Sequence, residues 1–374
     1  MVHRKRDKRL IAAKRQDYYI IMKMNTPKLS FEEAFPKITE EEFKRASKIA
    51  LKINIANESD SISSAIWEMS RLFSYMLKPT YEIVNVLRLH CERFGGSDLL
   101  AETIFARLGG PIPATLNKKY QFYIKGLPNE YICRPPRILG ECGWEINGGI
   151  VNRDVLVYQR HIANLYFHGV IQRFQAMENP VILEIGSGYG AMAYFLKKLI
   201  PRARYYMVDL PGSLVFAAIY LGITMPQYVN VDDSVYNGEK PTEKGEMFTF
   251  IPSSKINEIE TDFDLVINTG SFGEMTQKQV EDYADFIEKN LKANGILYDE
   301  DWETFVPVSS ILKKKFIFEP AIGLSNIWAK NIDALDSLKT FQKMNFSRKF
   351  IEWESRASKK VPKIQSFLRK IIFR

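Results

Sequence analysis

The stretch Val181-Ile-Leu-Glu-Ile-Gly-Ser-Gly-Tyr-Gly190 restricts what this chain can fold into more than any other. Val181 to Glu184 is a short apolar run with one acid at its end, the pattern of a buried strand. Three glycines at alternate positions follow, Gly186, Gly188 and Gly190, and the apolar run Ala191 to Leu199 then reads as a helix. Strand, tight glycine turn and helix together let a ligand lie against bare backbone at a helix N-terminus. The next apolar run, Tyr205 to Val208, closes on Asp209, and an acid at the tip of the second strand is where a ribose diol is held. The two strands predict half of a nucleoside-cofactor site.

The glycines alone do not name the ligand, because Gly186-x-Gly188-x-x-Ala191 also satisfies the dinucleotide fingerprint. Glu184 tilts the choice. A carboxylate two residues ahead of the first glycine repels a pyrophosphate and attracts a cation, and in a partly desolvated notch that attraction is several times its value in water. S-adenosylmethionine (SAM) carries a sulfonium and an ammonium and has no phosphate. SAM is therefore the expected cofactor, with Ser187 in the glycine turn and Leu210 beside Asp209 completing the first part of its site. Tyr189 is expected to offer its ring to the sulfonium.

With 374 residues the chain can hold two domains, or one large domain with an elaboration. No apolar run reaches membrane-spanning length and no signal-type segment follows the basic N-terminus, so a soluble, cytoplasmic protein is expected. Cys91, Cys133 and Cys142 have no metal-ligand spacing and no even pairing, which predicts buried thiols and no metal. The net charge of +8 is concentrated at the chain ends. Residues 356–374 hold seven Lys and Arg and no acid, with Ile364, Phe367, Leu368, Ile371 and Ile372 at helical spacing among them. Such a tail docks on its own domain or lies on an anionic membrane surface, a peripheral contact.

Residues 1–28 read as a basic, flexible N-terminus, and 29–126 as a helical domain. Ser30-x-x-Glu33 and Thr39-x-x-Glu42 fit capping boxes, and helices are expected at Phe43–Ile55, Ser61–Leu77, Tyr81–Phe94 and Asp98–Leu108. The Gly-, Pro- and Arg-rich run 126–149 predicts an irregular linker or loop. One long helix, Arg153–Met177, then leads across Asn179-Pro180 into the first strand. It closes a loop-and-lid segment, 127–177. Tyr158, His161, Leu165 and His168 share a face of that helix. It is expected to act as a lid that carries Tyr158 and Arg160 to the acceptor substrate. A histidine on an apolar helix face is more often a packing residue than a catalyst.

Beyond Asp209 a helix is expected at Ser213–Leu221, strands at Met247–Ile251 and Phe263–Asn268, a helix at Gln277–Lys292 and a strand at Ile296–Tyr298. Lys315–Phe318 and Asn326–Ala329 would add an antiparallel edge pair. This alternation predicts an α/β, doubly wound, seven-stranded Rossmann-like sheet over 178–335, followed by the tail 336–374. In such sheets ligands bind at the carboxyl ends of the strands. The third strand end offers Ile251 to an adenine. The fourth offers Asn268-Thr-Gly-Ser-Phe-Gly-Glu-Met275, placing Asn268, Ser271 and Glu274 beside the reacting end of the cofactor. Asn268 and Ser271 also suit plain turn and cap chemistry.

Leu183-Glu-Ile-Gly-Ser-Gly-Tyr-Gly190, Val208-Asp-Leu-Pro211, Asp264-Leu-Val-Ile-Asn-Thr-Gly-Ser271 and Gly273-Glu-Met275 resemble the sugar O-methyltransferases among the SAM-dependent, Rossmann-like enzymes. The resemblance covers about residues 150–335. It implies SAM as methyl donor and a sugar hydroxyl, often on a surface-glycan precursor, as acceptor. It also implies that Glu184, Gly186, Gly188, Gly190 and Asp209 bind the cofactor and that Asn268, Ser271 and Glu274 face the reaction centre. A sugar hydroxyl is a poor nucleophile, so a general base would contribute about 10²- to 10⁴-fold. The candidates are Glu274 and His161, with His168 behind them. Asp299-Glu-Asp301 ends the fifth strand, but no motif demands a metal. A nucleic-acid methyltransferase is the main rival. The fourth strand ends Asn-Thr-Gly-Ser instead of an Asp/Asn-Pro-Pro-Tyr/Phe pattern, and the basic residues do not interleave with aromatics near the site, which argues against nucleic acid. An NAD-dependent oxidoreductase and a non-catalytic SAM-binding protein are the other rivals.

Overall fold

The computed structural model describes residues 36–56, 76, 78–91, 106, 110–231, 235, 246–300, 306–321 and 324–341. The basic N-terminus, the Ser30–Glu33 capping box, nearly all of the helices expected at 61–77 and 98–108, and the tail 356–374 lie outside these residues.

The strands are β1 Trp144–Ile146, β2 Gly149–Val151, β3 Val181–Ile185, β4 Arg204–Asp209, β5 Phe248–Pro252, β6 Phe263–Thr269, β7 Leu291–Glu300, β8 Ile317–Pro320 and β9 Ser325–Ala329. Seven of them form one sheet in the order β5-β4-β3-β6-β7-β9-β8. The first five in this row are parallel, and β9 runs antiparallel to both its neighbours. This is the expected seven-stranded Rossmann-like sheet, and β8 and β9 are its antiparallel edge pair. The strand order reverses between β3 and β6, so the switch point falls beside the glycine turn.

β3 and β5 are buried at every residue because helices cover both faces, and their sequences accordingly read as continuous apolar runs. One face carries Ile182, Met207, Phe250, Ile267 and Tyr298 and is covered by the helices Arg153–Phe167, Ala191–Leu199 and Pro211–Thr224. The other carries Leu183, Val208, Val266 and Leu297 beneath Gln277–Asn290. Among the described helices none is long and apolar enough to cross a membrane.

The N-terminal helix Glu40–Ala56 begins at the capping box read from the sequence. Thr39 N–H donates to Glu42 Oε2 at 2.6 Å, and Glu42 N–H returns to Thr39 Oγ at 3.2 Å. This helix is part of the main core. Ile38, Ala46, Ile49 and Ile53 are buried in the same cluster as the sheet, and Ile49 lies so close to Gly222 of Pro211–Thr224 that a Cβ there would be 2.4 Å from its Cδ1.

Three local expectations change. The long helix 153–177 is two, Arg153–Phe167 and Val170–Gln175, broken at Gly169, whose φ of 78° takes the left-handed turn. The run expected as Tyr81–Phe94 holds two short helices, Tyr81–Asn85 and Leu87–His90, within its described part. Residues 126–149 are not wholly irregular, because β1 and β2 form a hairpin closed by Asn147 and Gly148, both at positive φ. Asn-Gly is the strongest short hairpin signal a sequence can carry. The cysteines are free and buried, as expected.

Candidate cofactor and active site

β3 hands the chain to the glycine turn at Gly186, whose N–H donates to the Val208 carbonyl of β4 at 2.8 Å. Gly186 has a φ of 77°, and a Cβ built on it would lie 2.4 Å from Cβ of Ser271. Gly190, at φ 87°, caps the helix Ala191–Leu199. Backbone conformation and contact both demand glycine at position 186. Gly186→Ala is expected to cost about 2–4 kcal/mol from the left-handed backbone and the overpacking together. Urea denaturation checks this; an unchanged midpoint would mean that the loop re-forms without strain.

Glu184 and Asp209 stand at the ends of β3 and β4. Glu184 is buried and accepts a hydrogen bond from the Tyr205 hydroxyl at 2.8 Å. Burial pushes its carboxyl up to about 8, against the pull of that hydrogen bond. Among the described residues no cation is paired with it. Asp209, also raised by burial, to about 7, accepts from Gly188 N–H at 2.9 Å and Leu210 N–H at 2.7 Å, with Ser187 Oγ at 3.4 Å. The Ser187 backbone adds to these bonds, so the Asp209 carboxyl is held by three backbone groups at the two strand ends. The Asp209 that the sequence assigns to a ribose also holds the glycine turn in place.

Tyr189 does not offer both of its ring faces to a ligand. The Arg88 guanidinium lies 3.6 Å from its centroid, and Tyr158 and Tyr220 pack edge-on at 5.8 and 5.4 Å. A cation already occupies the place expected for the sulfonium on that ring. Arg88 is fully buried and paired with Glu141 at 2.7 Å and Asp154 at 2.9 Å. Burial opposes its charge, but Glu141, Tyr189 and Asp154 outweigh that and raise its pKa. Glu141 in turn accepts from Asn152 Nδ2 at 2.7 Å, and Asn152 Oδ1 caps the helix Arg153–Phe167. Among the described residues, buried Arg88 Nη1, Tyr220 Oη and Ser213 Oγ find no hydrogen-bond partner.

The helix Arg153–Phe167 runs from the glycine turn, which it meets through Tyr158, to the end of β7, which it meets through Arg160, His161 and Asn164. Arg160 is ion-paired with Glu300. His161 Nδ1 lies 2.8 Å from the Tyr298 hydroxyl and 3.7 Å from Glu300 Oε2. The Tyr298 hydroxyl donates to Ser325 Oγ at 2.9 Å, and Ser325 Oγ donates to Glu300 Oε2 at 2.7 Å. Asn164 Nδ2 donates to both hydroxyls, at 3.2 and 3.1 Å. Burial pulls the His161 imidazole down to about 4, so it is neutral at physiological pH. Burial alone would raise the Glu300 carboxyl, but Arg160 and His161 hold it below the usual range.

The other candidates divide. Ser271 Oγ reaches Asn268 Oδ1 and the Ile185 carbonyl, the latter at 3.2 Å, and Asn268 Nδ2 donates to Asp299 at 2.8 Å. Both residues therefore stand at the glycine turn. Neither caps the next helix, because Thr276 and Gln279 form its capping box. A Cβ on Gly270 would meet nothing within 4 Å among the described residues, so the end of β6 opens onto free space. Glu274 is exposed on the turn Phe272–Glu274. Ile251 is fully buried in the core with Val208 and Ile256, which gives it no free surface for an adenine. His168 Nδ1 is 2.9 Å from the Asn164 carbonyl oxygen, so it is bonded to the backbone of its own helix. Arg160, expected at the substrate, is committed to Glu300. Asp299 bonds Asn268 and Glu300 bonds Ser325, so the two acids point to opposite faces of β7. Asp301 lies outside the described residues.

Sequence reading missed Arg88, Glu141, Asp154 and Tyr220, and it missed Tyr298 and Ser325. Arg88 meets Glu141 and Asp154 across 53 and 66 residues, His161 meets Tyr298 across 137, and Ser325 meets Glu300 across 25, so no local spacing marks them. The one available signal was Glu300, noted only as part of an acidic strand end.

No family model matches the chain, and a search of curated proteins finds no match. Solved structures do align with it. A TehB-like SAM-dependent methyltransferase from Corynebacterium glutamicum is 17% identical, over 45% of this chain and 89% of that one, with a TM-score of 0.32. A SAM-dependent methyltransferase from Aquifex aeolicus is 15% identical over 45% and 92%, with a TM-score of 0.31. The N-methyltransferase NodS from Bradyrhizobium japonicum, bound to S-adenosylhomocysteine (SAH), is 17% identical over 46% and 85%, with a TM-score of 0.30. Likeness at this level is one of fold and reaches no residue of the site. The strand order and the glycine turn by themselves define a doubly wound, Rossmann-like sheet with a glycine turn at its switch point.

Proposed function

We propose that this chain is a SAM-dependent O-methyltransferase whose acceptor is a sugar hydroxyl on a surface-glycan precursor. The observation that carries the cofactor is Glu184, a buried carboxylate without a counter-ion at the floor of a glycine turn. A cation stabilises its ionised form there, whereas a pyrophosphate would oppose that ionisation and gain no positive partner from it. In this reading Glu184 faces its positive charge and Asp209 accepts a ribose hydroxyl, while Gly186 lets the turn pack against Ser271. When bound, SAM supplies a methyl group made electrophilic by its positively charged sulfur.

The chain's own part is to orient the acceptor and take its proton. His161 is neutral, stands on the helix that spans the glycine turn and the end of β7, and is the better-placed base. Glu274, on an exposed turn, is the second candidate. The sugar acceptor rests on the Val208-Asp-Leu-Pro211 and Asn268-Thr-Gly-Ser-Phe-Gly-Glu-Met275 segments. Calorimetry with SAM, SAH and NADH tests the cofactor, and heat with NADH alone would overturn it. Mass spectrometry of cell-surface glycans with and without the protein tests the acceptor. One methyl increment on a sugar is expected to vanish with the protein, and an unchanged glycan profile removes the sugar reading.

A further inference from the structure

We infer that Tyr298, Ser325 and Glu300 form a hydrogen-bond relay that locks His161 as the Nδ1–H tautomer and leaves its Nε2 lone pair as the proton acceptor. The base role rests on the methyltransferase reading; the tautomer does not.

The hydrogens in this cluster are few enough to assign one by one. Asn164 Nδ2 donates to Tyr298 Oη and to Ser325 Oγ, so it supplies neither hydroxyl with an acceptor. The single Ser325 hydrogen is spent on Glu300 Oε2, 2.7 Å away, where an ionised carboxylate can only accept. The 2.9 Å contact between Tyr298 Oη and Ser325 Oγ must then be bridged by the tyrosine's own hydrogen. Tyr298 Oη has no hydrogen left for His161, so the 2.8 Å contact requires the proton to sit on Nδ1. The opposite assignment turns the tyrosine hydrogen toward His161 and leaves two oxygens facing each other at 2.9 Å with no hydrogen between them. In a buried site that is the costlier arrangement.

The chain of donors therefore runs His161 Nδ1–H, Tyr298, Ser325, Glu300. Its far end is an ionised carboxylate, kept so by Arg160. When Nε2 takes the hydroxyl proton of an acceptor, the imidazolium keeps its Nδ1–H on Tyr298, and the Glu300 carboxylate stands 3.7 Å away to balance the new charge. Tyr298, Ser325 and Glu300 touch neither cofactor nor acceptor in this scheme; they are positioning residues.

The test is nitrogen NMR of the full chain with SAH added, using long-range nitrogen–proton correlations. The chain has four histidines, and His161→Ala assigns the signal. The expected result is a protonated Nδ1 and an unprotonated Nε2 at His161 near neutral pH. Tyr298→Phe is expected to lose that preference and give a mixture of tautomers. Ser325→Ala, smaller and safer for folding, is expected to weaken it. A predominantly Nε2–H imidazole in the wild type overturns the inference. So does an Nδ1–H imidazole unchanged in both folded variants, since the relay would then not be its cause. Heat of SAH binding, recorded on the same samples, reads the cofactor separately: its absence sinks methyl transfer, and the spectrum still decides the tautomer.

Discussion

Titrating the Glu184→Gln protein with SAM is expected to give an affinity about ten- to hundredfold below the wild type, the worth of one charge-assisted contact in a buried site. The glutamine keeps the size of the side chain and an oxygen for the Tyr205 hydroxyl, so the loss isolates the charge. A pH dependence accompanies it, with a definite sign. Glu184 is raised from an ordinary value of 4.5 to about 8 in the folded chain, so folding takes up a proton between those values. Without cofactor, wild-type stability therefore falls as pH rises from about 4.5 and levels off above about 8. Asp209, raised to about 7, acts in the same direction at slightly lower pH. A bound cation favours the ionised carboxylate, so SAM binding releases a proton and tightens as pH rises toward 8. Glu184→Gln removes its share of both effects. Thermal melts and calorimetry in buffers of different ionisation enthalpy measure them. A wild-type affinity flat from pH 6 to 8 would show that no buried acid ionises on binding.

The second large effect belongs to Arg88. Arg88→Ala strands Glu141 and Asp154, two buried carboxylates, and takes away the cation that covers Tyr189. Removing one partner of a buried ion pair costs about 3–5 kcal/mol, a large share of the total stability of an ordinary domain. The expected result is a lower urea midpoint together with weaker SAM binding, because Tyr189 belongs to the glycine turn. The control is to discharge the whole cluster with Arg88→Met, Glu141→Gln and Asp154→Asn together. Stability is expected to recover in part, since neutralised partners carry no stranded charge. An unchanged midpoint in Arg88→Ala would mean that water reaches both acids.

The sheet was legible because its signals are local. Parallel strands buried on both faces read as short apolar runs, and each of the seven was found within a few residues of its place. The helix Ala191–Leu199 was read at its true ends. β7 was read as Ile296–Tyr298 because Asn294-Gly295 looks like a turn, yet pairing with β6, with a register irregularity near Phe263, carries the strand back to Leu291. Tertiary pairing overrode local turn chemistry. At Gly169 the opposite happened: apolar periodicity continues through the glycine and hides the break. At the site the glycine turn, Glu184 and Asp209 were readable because one short motif contains or predicts them. The pairing of His161 with Tyr298, and of Arg88 with Asp154, was not, since each depends on the packing of elements far apart in sequence.

Arg88 enters this scheme from outside the sheet, on a short helix that precedes the first sheet strand by some ninety residues. Its guanidinium nonetheless rests on the aromatic ring of the cofactor turn. A fragment trimmed to residues 178–335 would keep all seven strands of the large sheet yet strip Arg88 and Tyr158 from that ring. The sheet is thus no self-sufficient unit, and whatever grips or displaces the early helices is in mechanical contact with the glycine turn.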